Sequence, residues 1–81
     1  MSKYVYILNS DVDETQYYVG ITSNLEQRLQ KHNEGGSPHT SQFRPWRLLV
    51  SIQFQDESRA SEFERYLKSP SGRAFAVKHF R

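Results

Sequence analysis

The 81-residue chain has no cysteine, which excludes disulfide frameworks, thiolate zinc centres and cysteine nucleophiles at once. Long apolar runs are missing too. No stretch approaches the ~18 apolar residues needed to cross a bilayer, and the opening Met-Ser-Lys-Tyr has no apolar core of a secretion signal. The expectation is a soluble, intracellular, cytoplasmic protein with no membrane partner. Charge of one sign is also scarce: 11 Lys and Arg against 9 Asp and Glu leave a net charge of +2. So small an excess is compatible with a nucleic-acid partner but does not establish one unless the cations cluster.

What is present is a modest set of aromatic and aliphatic residues, enough for one core and too little for two, so residues 1–81 are expected to form a single domain. Lys3 to Asn9 is rich in Val, Ile, Leu and Tyr, as a strand covered on both faces requires. Tyr4, Tyr6 and Leu8 share one face, Val5 and Ile7 the other. The polar, acidic stretch from Ser10 to Thr15 is a turn. Gln16 to Thr22 is a second strand, completing an antiparallel hairpin in which Tyr18 and Gly20 face opposite to Tyr17, Val19 and Ile21.

Ser23-Asn24-Leu25-Glu26 opens a helix, with Ser23 in capping-box spacing to Glu26 and Asn24 as the rival cap. It is expected to run to about Asn33 and stop at Glu34-Gly35-Gly36. Leu25, Arg28, Leu29 and His32 then fall within one arc of about 100°. Gly35 to Trp46 is a long polar loop in which His39, Thr40, Ser41, Gln42 and Arg44 present hydrogen-bonding groups. In a third strand, Arg47 to Gln55, Leu48, Val50, Ile52 and Phe54 share a face, and an edge position there leaves dimerisation open. Asp56 or Ser58 caps a second helix running to about Ser69, with Ala60, Phe63 and Leu67 as its apolar stripe, Glu64 inside the stripe and Glu62 opposite. After a break at Ser69-Pro70-Ser71-Gly72, Arg73 to Phe80 forms a last helix anchored by Phe75, Val77 and Phe80. The expected fold is α+β, a three-stranded, mainly antiparallel sheet flanked by helices in the order β-β-α-β-α-α.

Burying a polar group without a partner costs about 1–3 kcal/mol, so polar residues on apolar faces are informative. Arg28, His32 and Glu64 are three of these, and the hairpin adds the phenols of Tyr4, Tyr6 and Tyr18. Together they supply a carboxylate for a hard cation, a guanidinium for an anionic oxygen, and phenol or imidazole groups for proton transfer. That inventory suits phosphoryl chemistry. Ordinary packing accounts for the same residues: an Arg28–Glu64 ion pair at a helix seam, His32 at a helix dipole, strand-forming tyrosines, and Gly20 as a bulge or a close backbone approach.

The order and spacing of these residues along nearly the whole chain resemble the GIY-YIG nuclease superfamily, and within it the small bacterial endonuclease-like proteins. Tyr4-Val5-Tyr6 resembles the first motif and Tyr18-Val19-Gly20 the second. Arg28 follows at the family's spacing, and His32 stands where the family has histidine or tyrosine. Phe63-Glu64-Arg65-Tyr66-Leu67-Lys68-Ser69, with Ser71-Gly72-Arg73-Ala74-Phe75 after it, resembles the segment that carries the family's metal-binding glutamate. Tyr4 stands in place of the name-giving glycine, and Val5 in place of isoleucine.

The resemblance implies a Mg²⁺- or Mn²⁺-dependent endonuclease. Its catalytic residues would be Tyr6, Tyr18, Arg28, His32 and Glu64, with Glu64 the metal ligand, Arg28 the phosphate clamp, the two phenols near the attacking water, and His32 orienting or relaying a proton. Which phenol is the base stays open. The expected substrate is DNA that is branched, damaged or single-stranded, as in DNA repair, rather than a specific sequence. Larger relatives attach a recognition domain. Here substrate choice is expected to rest on the Gly35–Trp46 loop and basic residues, with Lys31, His39, Thr40, Arg44 and Arg73 contacting nucleic acid, or on a homodimer or partner protein. The rival expectation is a nucleic-acid-binding module that keeps the nuclease fold with little activity of its own.

Overall fold

A nearly unbroken run of β-forming residues makes β1 (Lys3–Ser10), which lies between β2 (Tyr17–Thr22) and β3 (Trp46–Phe54) in one three-stranded sheet. The computed structural model describes residues 2–36 and 38–81. Both pairings of β1 are antiparallel. Its side chains are buried on both faces, which is why the sequence there is continuously apolar instead of alternating. Val5 and Ile7 lie under α2 (Glu57–Lys68) and α3 (Pro70–His79). Tyr6 and Leu8 lie on the other face with Trp46, under α1 (Leu25–Asn33) and a single 3-10 turn at Ser41–Phe43. The α+β fold in the order β-β-α-β-α-α is therefore the one expected, with β2 and β3 as its edges.

The third strand departs from simple alternation. Ile7 pairs with Val50, but Leu8 pairs with Leu48, so a bulge intervenes at Leu49. The extra residue moves Leu48 off the face it was expected to share with Val50. Leu49 packs toward the α2 side in its place, and Leu48 is left exposed.

Local chemistry sets the helix ends. Asn24, not Ser23, caps α1, its side chain accepting the Gln27 N–H at 3.0 Å, and Gly35 takes the left-handed conformation (φ +81°) just past its end. Asp56 caps α2. The expected break before the last helix shrinks to Ser69, which ends α2 and caps α3, accepting the Gly72 N–H at 3.2 Å and donating to the Tyr66 carbonyl at 2.6 Å. Pro70 fits the first turn, where its missing N–H has no role, so α3 starts at Pro70 rather than Arg73. Val77, expected as an anchor, points outward, and Ala76 faces the core between Phe75 and Phe80. Among the described residues no helix is long and apolar enough to cross a membrane.

Candidate active site

The register of the hairpin places Tyr6 directly opposite Gly20. The Tyr6 ring lies across that position, and a Cβ on Gly20 would collide with its phenol oxygen and approach Tyr18 Cε2 to 3.0 Å. Gly20 is therefore a close-approach glycine, not a bulge. On the same face, one pair further along, Tyr18 stands opposite Leu8 and brings its ring centroid to 6.2 Å from that of Tyr6. Tyr4, the third phenol of this face, lines a separate hollow with Leu25, Leu29 and Leu48. Tyr17 points the opposite way, with the Arg81 guanidinium 3.6 Å above its ring centre.

α1 supplies the next two groups, one turn apart. His32 is buried at 3% exposure, with its ring centroid 4.7 Å from that of Tyr18. Its Nε2 lies 3.2 Å from the Tyr6 hydroxyl and its Nδ1 2.9 Å from the Thr40 hydroxyl. Burial, followed by the nearby charges of Arg28 and Lys31, lowers the His32 pKa, so at neutral pH the ring carries one proton and offers one acceptor. A neutral ring gains little from the helix dipole, so that reading does not account for its position. Burial also pushes the Tyr6 phenol up to about 12. The neighbouring Tyr18 and Glu64 push in the same direction, while Arg28 opposes them by charge and hydrogen bonding. In the tautomer that donates Nδ1–H to Thr40, Nε2 is free to accept the Tyr6 proton. A buried line Tyr6–His32–Thr40 results, along which a proton can move.

Thr40 corrects one expectation. Read from the sequence as a surface contact to nucleic acid, it is only 2% exposed. Its hydroxyl is engaged with His32, and its carbonyl accepts the Trp46 indole N–H at 2.8 Å. The loop folds inward here to close the site. No sequence periodicity marks that turn.

Glu64 comes from α2, which packs on β1 and β2 from the other side. Its side chain is 16% exposed and forms an ion pair with Lys68, one turn on. The anticipated Arg28–Glu64 seam pair is not formed: among the described residues the ion pairs are Lys68–Glu64 and Arg47–Asp11. Glu64 is near enough for its charge to act on Tyr6. It does not line the pocket of about 270 Å³ bordered by Tyr18, Arg28, Lys31 and His32. Among the described residues no group of three or more His, Asp or Glu could cage a metal ion. Mg²⁺ commonly takes one or two carboxylates and completes its shell with water and substrate phosphate. The single carboxylate of Glu64, already holding a cation in the Lys68 ammonium, fits that use.

The remaining predicted contacts separate. Lys31 borders the pocket with Arg28 and His32, and His39 and Arg44 are exposed on the loop. Arg73 lies in a different cleft, beyond the β2 edge, together with Lys68 and Arg81. Sequence reading missed Lys68 and Arg81. The four-residue spacing of Glu64 and Lys68 was an available signal for the first; nothing local marked the second.

The family model for the GIY-YIG catalytic domain matches residues 2–78. The chain is 39% identical over 72 residues to the structure-specific endonuclease subunit SLX1 of Chaetomium globosum, covering 82% of this chain and 22% of that protein. It is 32% identical over 74 residues to a UPF0213 protein of Halalkalibacterium halodurans, covering 90% of this chain and 77% of that one. The solution NMR structure of a UPF0213 protein from Bacillus halodurans aligns with a TM-score of 0.58 at 30% identity, over 96% of this chain and 84% of that one. The chain thus spans about a fifth of the endonuclease subunits it matches and most of the UPF0213 proteins.

Proposed function

The chain belongs to the GIY-YIG family, and on that footing we propose that it is a divalent-metal-dependent endonuclease that hydrolyses phosphodiester bonds in DNA, directed by structure or damage and not by sequence. One observation carries this reading: the hairpin and α1 bring Tyr6, Tyr18 and His32 together, with the charges of Arg28 and Glu64 both acting on the Tyr6 phenol. Ionisable groups that perturb one another's protonation in this way cluster at functional sites.

Each residue has a distinct task. Glu64 would hold Mg²⁺ or Mn²⁺, which when bound supplies Lewis-acid polarisation of the phosphate and a more acidic water. Arg28 offers its N–H donors to the phosphate oxygens, where negative charge grows. Tyr6 keeps its own proton at neutral pH. It can accept one from the attacking water only by passing its own to His32 Nε2, which Thr40 holds in orientation through Nδ1. Tyr18 packs against both rings and closes the outer side. The name of the matched relative, a structure-specific endonuclease subunit, supports a substrate recognised by its structure and work within a larger assembly.

The test is a substrate panel. The purified chain is incubated with plasmid, four-way-junction, flap and single-stranded DNA in Mg²⁺, in Mn²⁺ and in EDTA. Cleavage of branched DNA in either metal and none in EDTA is expected. No cleavage of any substrate, together with salt-sensitive DNA binding, would instead make the chain a nucleic-acid-binding module.

A further inference from the structure

Between the β2 edge and the packed pair α2–α3 lies a second cleft, of about 520 Å³, which the proposed chemistry does not use. Its cations are Lys68, Arg73 and Arg81, and Gln16 adds a polar side chain to the wall. Arg73 and Arg81 make no ion pair among the described residues, whereas Arg47 and Lys68 each have a carboxylate partner. The Arg81 guanidinium is held over the Tyr17 ring, 3.6 Å from its centre. Stacking of this kind fixes the plane of the group and leaves its in-plane N–H donors for an anion.

Two residues join this cleft to the site described above. Tyr18 borders both it and the pocket of Arg28, Lys31 and His32. Lys68 lines the cleft while pairing with Glu64. The two hollows, each with arginine or lysine in its wall, thus meet at Tyr18 on the β2 edge. The volume is that of a small-ligand site, too small for a duplex and sufficient for a short stretch of one strand.

Resting on the nuclease reading, we propose that the Lys68–Arg73–Arg81 cleft binds the sugar-phosphate backbone of a single DNA strand that flanks the scissile bond. Arg73 and Arg81 contact its phosphates, and Tyr17 positions Arg81. Such a site selects substrates with an unpaired arm, because only a strand freed from its complement can pass over the β2 edge into it. The chemistry required is that of a groove whose cations track the backbone of one strand without reading its bases.

The test measures binding of fluorescein-labelled oligothymidylate to the full chain by fluorescence anisotropy across a salt series in EDTA, where nothing is cut. The Arg73→Gln/Arg81→Gln double variant is expected to lose at least tenfold in affinity. The slope of log K against log salt should flatten by about 1.4, since each lost single-strand phosphate contact removes ~0.7. Arg47→Gln, at the opposite edge of the sheet, is expected to bind like wild type, and poly-glutamate of equal charge should not displace the DNA. Thermal melts confirm that each variant is folded, and Arg81→Lys alone should retain most of the wild-type slope. The proposal is overturned by unchanged affinity and slope in the double variant, by an equal loss in Arg47→Gln, or by displacement with poly-glutamate. Parallel assays in Mg²⁺ separate this claim from the one it rests on. Cleft-dependent binding without cleavage removes the nuclease reading and leaves the cleft; cleavage with cleft-independent binding does the reverse.

Discussion

Replacing Gly20 by alanine tests the geometry of the site with one methyl group. The backbone there does not demand glycine, since Gly35 alone among the described glycines has positive φ. The cost falls instead on the neighbours. The new Cβ would overlap the Tyr6 hydroxyl and sit 3.0 Å from Tyr18 Cε2. A side-chain tip can often swing away cheaply, but Tyr6 is 1% exposed and its hydroxyl is bonded to His32 at 3.2 Å. Overpacking of this kind costs about 1–3 kcal/mol, and each kcal/mol lowers the melting temperature of a domain this size by roughly 4–8 °C. Cleavage should suffer more than stability, because displacing a reacting group by about 1 Å costs on the order of 100-fold in rate. Urea denaturation and single-turnover cleavage measure the two effects. Adding Tyr6→Phe removes the oxygen but not the ring carbon behind it, so the double variant should be less destabilised than the sum of the singles, by about 0.5 kcal/mol or more. Additive effects, or a Gly20→Ala variant as stable and active as wild type, would refute the proposed crowding around the phenol.

Further outcomes follow from the same packing. Gly72→Ala drives a methyl group into the Tyr66 carbonyl where α3 crosses α2; a loss of about 3 kcal/mol is expected in urea denaturation. The pKa of His32 is lowered from its ordinary 6.5 in the fold. Its contribution is therefore complete above the unfolded value and is lost as pH falls from there through the lowered folded value. The urea midpoint should drop over that window in wild type and drop less in His32→Gln. Thr40→Val removes the hydroxyl partner of a buried imidazole nitrogen, which should cost about 1–3 kcal/mol and slow cleavage, whereas Thr40→Ser should retain both.

Much of this was legible in the chain because local patterns and tertiary demands agreed. The continuous apolar run in β1 marked a strand covered on both faces, and alternation correctly placed Tyr6 with Tyr18 and sent Tyr17 away. Glu64 stood out because a carboxylate inside an apolar stripe needs a reason. What could not be read depended on contacts distant in sequence. The bulge at Leu49 answers to its pairing with β1 and leaves no mark in composition. Thr40 lies in a loop with no period to follow, and its inward turn is set by His32 and Trp46. The short link at Ser69 was hidden by Pro-Ser-Gly, which reads as a break although proline and a serine cap also begin helices.

The most direct test is the single-turnover rate of cleavage of branched DNA by wild type and by Glu64→Gln, at saturating Mg²⁺ and equal DNA occupancy. Glutamine keeps the size of the side chain and removes its charge. A metal held by Glu64, whose charge reaches the Tyr6 phenol, predicts a fall of at least 100-fold with DNA binding intact. Equal rates in the two proteins would show that the carboxylate has no part in the chemistry.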